Sequence, residues 1–573
     1  MKRILLYILL TAIAGTFKNP LSSANIADDP SGTAASPELR ERMYVQTDKQ
    51  LYLAGETILM KFTTTDEAHI PLVLSKTGYA ELVMDTVARV QMKVELTDGT
   101  GSGQMTLPED LPSGYYRLIA YTRFMRNEGA GVFFEKNIVV INTFQSGYRL
   151  SEAEPVNEHP LPVAKGAISL STDKATYTTR ERGEISVAGL PENIHTLSVS
   201  IAGRDLIAVA EAPEPDAVIH ELSRQTGRFL PEYEGHIITG ELVDSETGNS
   251  LPADFDIGQT AVVPAISFAG ENIWFFTGRI NEYDHSVRFF TTGNPATKEI
   301  AAVLYNADEK YSIAIQSPFV NRFDPKQMPV LRIDTSRYDQ LLARSVALQV
   351  FRYFPQDRSV NPLIASSIFK MNPTSVYNLA GYARFPTMAE VFTEIIINAR
   401  FRRTAGKQEL SVLVKKGRFY QYGYPLVLLD GVPVTDHESV YNYDPYLVER
   451  INIYNDTYQL GSLLFDGIIE IKTLRGVHQN LKINKSSKIT KYEAPQQPGL
   501  FVTPDYSIEK NRHSLMPDSR HTLLWNPDLR CDGQTSIRTP FDTSDLTGEF
   551  QATIEGITKD GQTFFATTIF RVE

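Results

Sequence analysis

Three runs in one stretch decide how this chain reads: Pro425–Val434 is PLVLLDGVPV, Val448–Tyr454 is VERINIY, and Asp466–Gly476 is DGIIEIKTLRG. Each is short, rich in Val, Ile and Leu, and meets a Gly or Asp-Gly turn signal, as buried strands do. No nucleophile, phosphate loop or metal-ligand spacing lies among them. The stretch therefore speaks for architecture before it speaks for chemistry.

The rest of the composition agrees with a mainly β protein. Tyr and Phe number 27 and 29 against two Trp, with 36 Gly and 32 Pro as punctuation. Aromatic and β-branched residues suit a pleated, half-buried surface. The 573 residues favour four or five domains over one. The net charge of −12 argues against nucleic acid or anionic lipid as the main partner. The single cysteine, Cys531, excludes an intrachain disulfide and a lipid-modified cysteine at an export cleavage site.

The N-terminus reads as a secretory signal over residues 1–24. Lys2 and Arg3 precede a mostly apolar run from Ile4 to Phe17, and Ser22 and Ala24 supply the small residues of a cleavage site. No later run reaches the roughly 18 apolar residues of a membrane-spanning helix. Residues 25–40 read as a flexible leader.

From Glu41 the chain turns to strands. Thr47, Asp48, Lys49, Tyr52, Gly55 and Glu56 form the pattern T-D-K-x-x-Y-x-x-G-E. It recurs at Thr172, Asp173, Lys174 and Tyr177, with Gly183 and Glu184 following later than in the first copy. The copies start 125 residues apart (172 − 47), about one β-sandwich plus a linker. Asp and Lys open a turn, Tyr packs on the sheet, and Gly-Glu leads into the next strand. This pattern resembles the entry of macroglobulin-like domains, the sandwich repeats of alpha-macroglobulins and complement proteins. The resemblance implies sandwiches at 41–145 and 164–227, the latter short for such a domain. The turn Pro112-Ser113-Gly114 then leads into a closing strand, with Leu118 and Ala120 on one face and Arg117, Ile119 and Tyr121 on the other.

Residues 145–163 are polar and contain Pro, as a linker would. Residues 233–335 open with strand Ile237–Val243 and the turn Asp-Ser-Glu-Thr-Gly, which resembles a carboxypeptidase-regulatory-like sandwich. Tyr338–Phe354 has near-helical apolar spacing, although Val346–Phe351 would suit a strand as well. Thr387–Arg400 is expected to be a helix, because Thr387 and Glu390 make a capping box. That helix and the three runs quoted at the outset resemble the plug domain of TonB-dependent outer-membrane receptors, here residues 361–476. A receptor barrel needs several hundred further residues. The 97 that follow Gly476 (573 − 476) lack the alternating strands of about ten residues that such a barrel uses. The expectation is a small α+β plug-like domain without a barrel of its own.

Residues 477–520, with four Pro and with Lys at 482, 485, 488 and 491, read as a linker whose charges form a solvated face. Residues 521–573 read as a macroglobulin-like β module of four strands, which bury only one face. The module should therefore need a second sheet from elsewhere, with residues 235–335 as the expected source.

Reactive chemistry is scarce. Cys531 and Gln534 have the spacing of the macroglobulin thioester, but Asp532-Gly533 between them reads as a hairpin turn. Asp436-His437-Glu438 is the densest cluster of metal-type residues and falls in a turn after Val434. There is no HExxH, GxSxG, P-loop or GxGxxG after a strand. No catalytic, cofactor or metal residues are assigned, and no cofactor is expected. The sequence leads to a non-catalytic exported binding or assembly protein. The resemblances imply docking to an outer-membrane β-barrel or another envelope protein, with a protease-trapping protein lacking a thioester as the alternative.

Overall fold

The computed structural model describes residues 39–145, 149–151, 165–204, 229–252, 262–328 apart from 271, 282, 294 and 296, then 331–334, 338–353 and 372–573. The signal-like segment and nearly all of the leader, most of the linker at 145–163, residues 205–228 and the start of the plug-like region lie outside these. Over the described residues the chain is mainly β.

The first T-D-K copy opens an eight-stranded sandwich. One sheet has the order Arg42–Thr47, Thr57–Thr65, Thr100–Thr106. The other runs Leu51–Leu53, Phe134–Ile141, Gly114–Thr122, Thr77–Met84, Val87–Glu95. Val45, Phe62, Leu82, Leu118 and Val140 meet between them, all fully buried. Each such side chain contributes about 1.5–3 kcal/mol, so this core stands without a disulfide. The closing strand Gly114–Thr122 is buried on both faces. Phe319, Val320 and Phe323 cover its outer side, and Arg117 donates to the Asp324 carbonyl at 3.0 Å.

The second T-D-K copy corrects the domain boundaries expected from sequence. Its first sheet is Ser169–Thr172, Arg182–Ala188, Ser536–Asp542. Its second sheet is Thr176–Tyr177, Thr563–Val572, Gly548–Thr558, Ile194–Gly203, Thr522–Asn526. Residues 164–203 and 521–573 are thus halves of one sandwich, and strand for strand its order repeats that of the first. Both contain the same parallel pair, Leu51–Leu53 on Phe134–Ile141 and Thr176–Tyr177 on Thr563–Val572. The C-terminal module takes its partner strands from residues 169–203, not from 235–335. The reason is topological: the hairpin joining Thr77–Met84 to Val87–Glu95 in the first sandwich is replaced in the second by residues 204–521.

That insertion carries two more bodies. Seven antiparallel strands run in the order Tyr311–Ile315, Ile237–Asp244, Ser286–Phe290, Phe275–Ile280, Val263–Phe268, Glu299–Tyr305, Lys488–Lys491. Phe275–Ile280 pairs through its first half with Val263–Phe268 and through its second half with Ser286–Phe290. The sheet therefore folds over a core of Leu242, Ile266, Phe268, Val287, Phe289 and Ile300. Helix Tyr338–Tyr353 follows, resolving the helix-or-strand ambiguity, and packs Leu341 against Leu51, Leu53 and Ile141.

The second inserted body spans Ser375 to Thr473. The three quoted runs do pair in one sheet: Ser375–Asn378, Val448–Leu460, Leu463–Thr473, Leu426–Leu429, Val432–Pro433. Leu426–Leu429 lies parallel to Leu463–Thr473. Thr387 caps the helix with the expected reciprocal bonds to Glu390, but the helix is Met388–Glu394 and stops well short of Arg400. The β-branched run Ile395-Ile396-Ile397 disfavours further turns, and Ala399–Thr404 is drawn into a strand against Lys407–Lys416.

Residues 477–520 are not a solvated linker. Lys488–Lys491 is a strand of the seven-stranded sheet, Tyr492 and Tyr506 are buried anchors, and Gln496 exchanges backbone bonds with Lys93 and Glu95 at 2.8 Å. The segment straps the insertion back onto both sandwiches.

Candidate docking surface

The T-D-K motif is spent on structure in both copies, bond for bond. Tyr52 Oη donates to Asp48 Oδ1 at 2.7 Å, and Tyr177 Oη donates to Asp173 Oδ1 at 2.7 Å. The same carboxylate oxygens accept from the Leu59 N–H at 3.1 Å and the Glu184 N–H at 2.7 Å. Thr47 and Thr172 hydroxyls reach the carbonyls of Lys49 and Lys174. The copies differ in burial. The second faces solvent, whereas the first is covered by the helix Tyr338–Tyr353 and by the second sandwich. There Arg344 grips Glu56 through two bonds of 2.9 and 2.7 Å, and the Thr522 hydroxyl donates to Asp48 at 2.8 Å.

The L-D-G turn of the second inserted body is also a joint. Asp430 and Gly431 turn the chain with φ of 48° and 84°. Gly431 lies so close to the Phe268 carbonyl that an added Cβ would sit 2.6 Å from its oxygen. Ser267 Oγ donates to the Gly431 carbonyl at 2.6 Å, and Lys472 Nζ to the Gly270 carbonyl at 2.6 Å. The two inserted bodies are thereby bolted face to face over Ala265, Phe275, Leu428, Phe465 and Ile468.

The remaining chemical candidates are built into the fold. His437 is buried and its Nδ1 accepts the Leu410 N–H at 3.0 Å, while its ring stacks on Tyr424. Burial depresses its pKa to about 4. Among the described residues no group of His, Cys, Asp and Glu is arranged to hold a metal ion. Cys531 and Gln534 close a turn, with the Gln534 N–H donating to the Cys531 carbonyl at 2.8 Å. A cleft of about 300 Å³ carries Arg180, Arg182 and Arg512. Arg180 is paired with Asp545 and Arg182 with Asp505 and Asp542, while Arg512 donates to the Tyr506 carbonyl at 3.1 Å, so two of the three charges are already neutralised.

One cluster escaped the sequence reading. Glu232, His236, Tyr79 and Lys93 meet where the seven-stranded sheet packs on the first sandwich. Tyr79 Oη donates to Glu232 at 2.9 Å, His236 Nδ1 lies 2.9 Å from Glu232, and Lys93 Nζ lies 3.3 Å from His236 Nε2. Burial, then Lys93, depresses His236 to about 4, and burial depresses Lys93 to about 8. The groups are those of an acid–base site, but Glu232 is 0% exposed and the others are buried, so no substrate reaches them. They join two domains. Glu232 and His236 are four residues apart, a spacing that carries no signal in irregular chain.

The three-stranded sheet Ala399–Thr404, Lys407–Lys416, Phe419–Gly423 presents one face to solvent. Its inner face gives Ala399, Phe401, Leu410, Val412 and Val414 to the core. Its outer face carries Arg400, Arg402, Lys415, Tyr420 and Tyr422, with the Arg400 guanidinium 3.6 Å above the Tyr422 ring. Residues 399–423 hold seven Lys and Arg and one acid, Glu409, a net +6 in a chain of −12. The whole-chain charge concealed this patch.

No protein-family model matches the chain, and no curated protein matches it in sequence. Among solved structures, alignment to trypsin-activated alpha-2-macroglobulin from Escherichia coli covers 95% of this chain and 42% of that one, at 10% identity and a TM-score of 0.23. Salmonella alpha-2-macroglobulin reacted with methylamine gives 93%, 39%, 10% and 0.24. The Escherichia coli adhesin FdeC gives 48%, 65%, 12% and 0.14. The chain spans about two fifths of the length of the macroglobulins with which it aligns. At such scores the sandwich assignment rests on strand order and register alone.

Proposed function

We propose that this chain is a non-catalytic, exported binding or assembly protein of the outer-membrane region, whose inserted α+β body docks an outer-membrane β-barrel or another envelope protein. The observation that carries the reading is the insertion itself. Two sandwiches of one topology form a frame, and the second opens to hold a body whose motif residues are tied up internally, leaving its surface as what it offers. The signal-like N-terminus and the plug-like order of the three strands support the same reading. Among the described residues no helix is long and apolar enough to cross a membrane.

The repeated sandwich favours a second reading, protease trapping without a thioester. Cross-linking in intact cells, followed by identification of the adducts, separates the two. Recovery of an outer-membrane barrel supports docking. Recovery of proteases, with cleavage inside the chain, supports trapping. Neither adduct, together with hydrolysis of an ester or glycoside panel by the purified protein, replaces both with an enzyme.

A further inference from the structure

The three-stranded sheet Ala399–Gly423 has two edges, and they are treated differently. Natural sheets guard their edges with charges, Pro, bulges or a covering loop. The edge strand Ala399–Thr404 is guarded by Arg400, Arg402 and Arg403. The opposite edge strand, Phe419–Gly423, reads FYQYG and has neither charge nor Pro. Phe419 is 78% exposed and Tyr420 65%. Among the described residues its only ladder partner is Lys407–Lys416.

The register says which groups are free. Lys416 and Phe419 close a two-residue turn at Gly417-Arg418, so they form a hydrogen-bonded pair, and the alternation then assigns Gln421 and Gly423 to the same inner ladder. Tyr420 and Tyr422 therefore point their backbone N–H and C=O groups away from the sheet. Lys415 stands across from Tyr420 on the outer face, and Arg418 sits in the turn at the strand's start. Neither forms an ion pair among the described residues, whereas Lys416 is paired with Asp466 at 2.8 Å.

We propose that the open edge Phe419–Gly423 accepts an extended, acidic segment of a partner polypeptide as a fourth strand. Main-chain bonds to Tyr420 and Tyr422 would supply affinity, and Lys415, Arg418, Arg400 and Arg402 would select carboxylates. This rests on the docking reading and names the surface and chemistry it uses. Charge disfavours a second copy as the occupant: its own sheet over residues 399–423 carries the same net +6, so pairing two copies would place like charge beside like charge. Strand addition rather than a lipid surface is favoured by the free N–H and C=O row, which phospholipid headgroups do not need.

The test uses the full chain and a fluorescein-labelled peptide of about ten residues alternating Glu with Val or Thr, read by anisotropy at physiological salt. The peptide should bind, and its counterpart with Lys for Glu should not. Tyr420→Pro removes an outward N–H that the fold does not use, and Tyr420→Val keeps it. Proline should weaken binding about tenfold or more relative to valine, and Lys415→Glu with Arg418→Glu should do the same. Unchanged hydrogen exchange at Leu410 and Val412 shows that each variant is folded. The proposal is overturned if proline and valine variants bind alike, or if both peptides bind equally. It is also overturned if the chain binds phosphatidylglycerol vesicles and not the peptide, or if it self-associates through this edge. Failure here alongside recovery of a barrel by cross-linking removes this edge as the contact and leaves the docking reading standing.

Discussion

Thr473 holds both oxygens of the Asp430 carboxylate: its amide N–H donates to Oδ1 at 2.8 Å and its hydroxyl to Oδ2 at 2.6 Å. The His478 N–H adds a third bond at 2.7 Å. A turn residue of one strand thus fixes the end of another and the exit of the chain. Asp430→Asn places an NH₂ group against one of these donors and should cost about 1–3 kcal/mol. Hydrogen exchange at residues 473 and 478 should accelerate, and unchanged protection there would show that the carboxylate does not hold the joint.

The two T-D-K copies make an internal control. Tyr52→Phe and Tyr177→Phe delete the same hydroxyl from the same bond, but Asp48 is buried and Asp173 is exposed. The first should cost about 1–2 kcal/mol and the second less, since water replaces the lost donor there. Denaturation midpoints of the two variants test the order, and a larger loss from Tyr177→Phe would contradict it.

Acid should loosen the interfaces of the first sandwich in two steps. His236, depressed by burial and then by Lys93 from 6.5 to about 4, stays neutral in the fold while the unfolded chain takes up a proton. Its stabilisation is complete above 6.5 and is lost as pH falls towards 4. Burial alone would raise the pKa of Glu56, but Arg344 and Lys49 outweigh it and bring the carboxylate from 4.5 to about 2. Its contribution is complete above 4.5 and is lost as pH falls towards 2. His236→Gln should make the first window shallower in urea-unfolding midpoints measured against pH, with the buried His437 supplying what remains of it, and should leave the second.

The split sandwich predicts coupled behaviour of distant segments. Val199 and Ile554 face each other across neighbouring strands and both are fully buried. Ile554→Ala should cost about 2–5 kcal/mol. Exchange should then quicken together in Ile194–Gly203, Thr522–Asn526 and Gly548–Thr558, and not in Thr77–Met84. Quickening confined to Gly548–Thr558 would mean that the C-terminal strands form a separate unit.

Local signals were legible in the sequence and non-local ones were not. The Val/Ile runs and the Thr387–Glu390 capping box depend on neighbouring residues, and they mark elements that the structure contains. The repeated Thr-Asp-Lys turn gave the entry to each sandwich. The pairing of Ile194–Gly203 with Thr522–Asn526 spans the whole insertion, and no periodicity records which strands meet across such a distance. The shortness of the second sandwich and the unpaired face of the C-terminal module were two views of one split domain. Residues 477–520 looked like a linker because their anchors, Tyr492 and Tyr506, are single aromatics in polar surroundings. The basic sheet vanished into a net charge of the opposite sign.

The docking account is tested most directly by photo-cross-linking from chosen positions in intact cells. A benzoyl-phenylalanine at Phe419 samples the open edge, and one at Leu515, which is fully exposed on the strap, samples the frame. The account predicts a discrete adduct with one outer-membrane or envelope protein from position 419, absent from position 515 and lost when Lys415→Glu and Arg418→Glu are added. The same adducts from both positions, or protease adducts accompanied by cleavage of the chain, would contradict it.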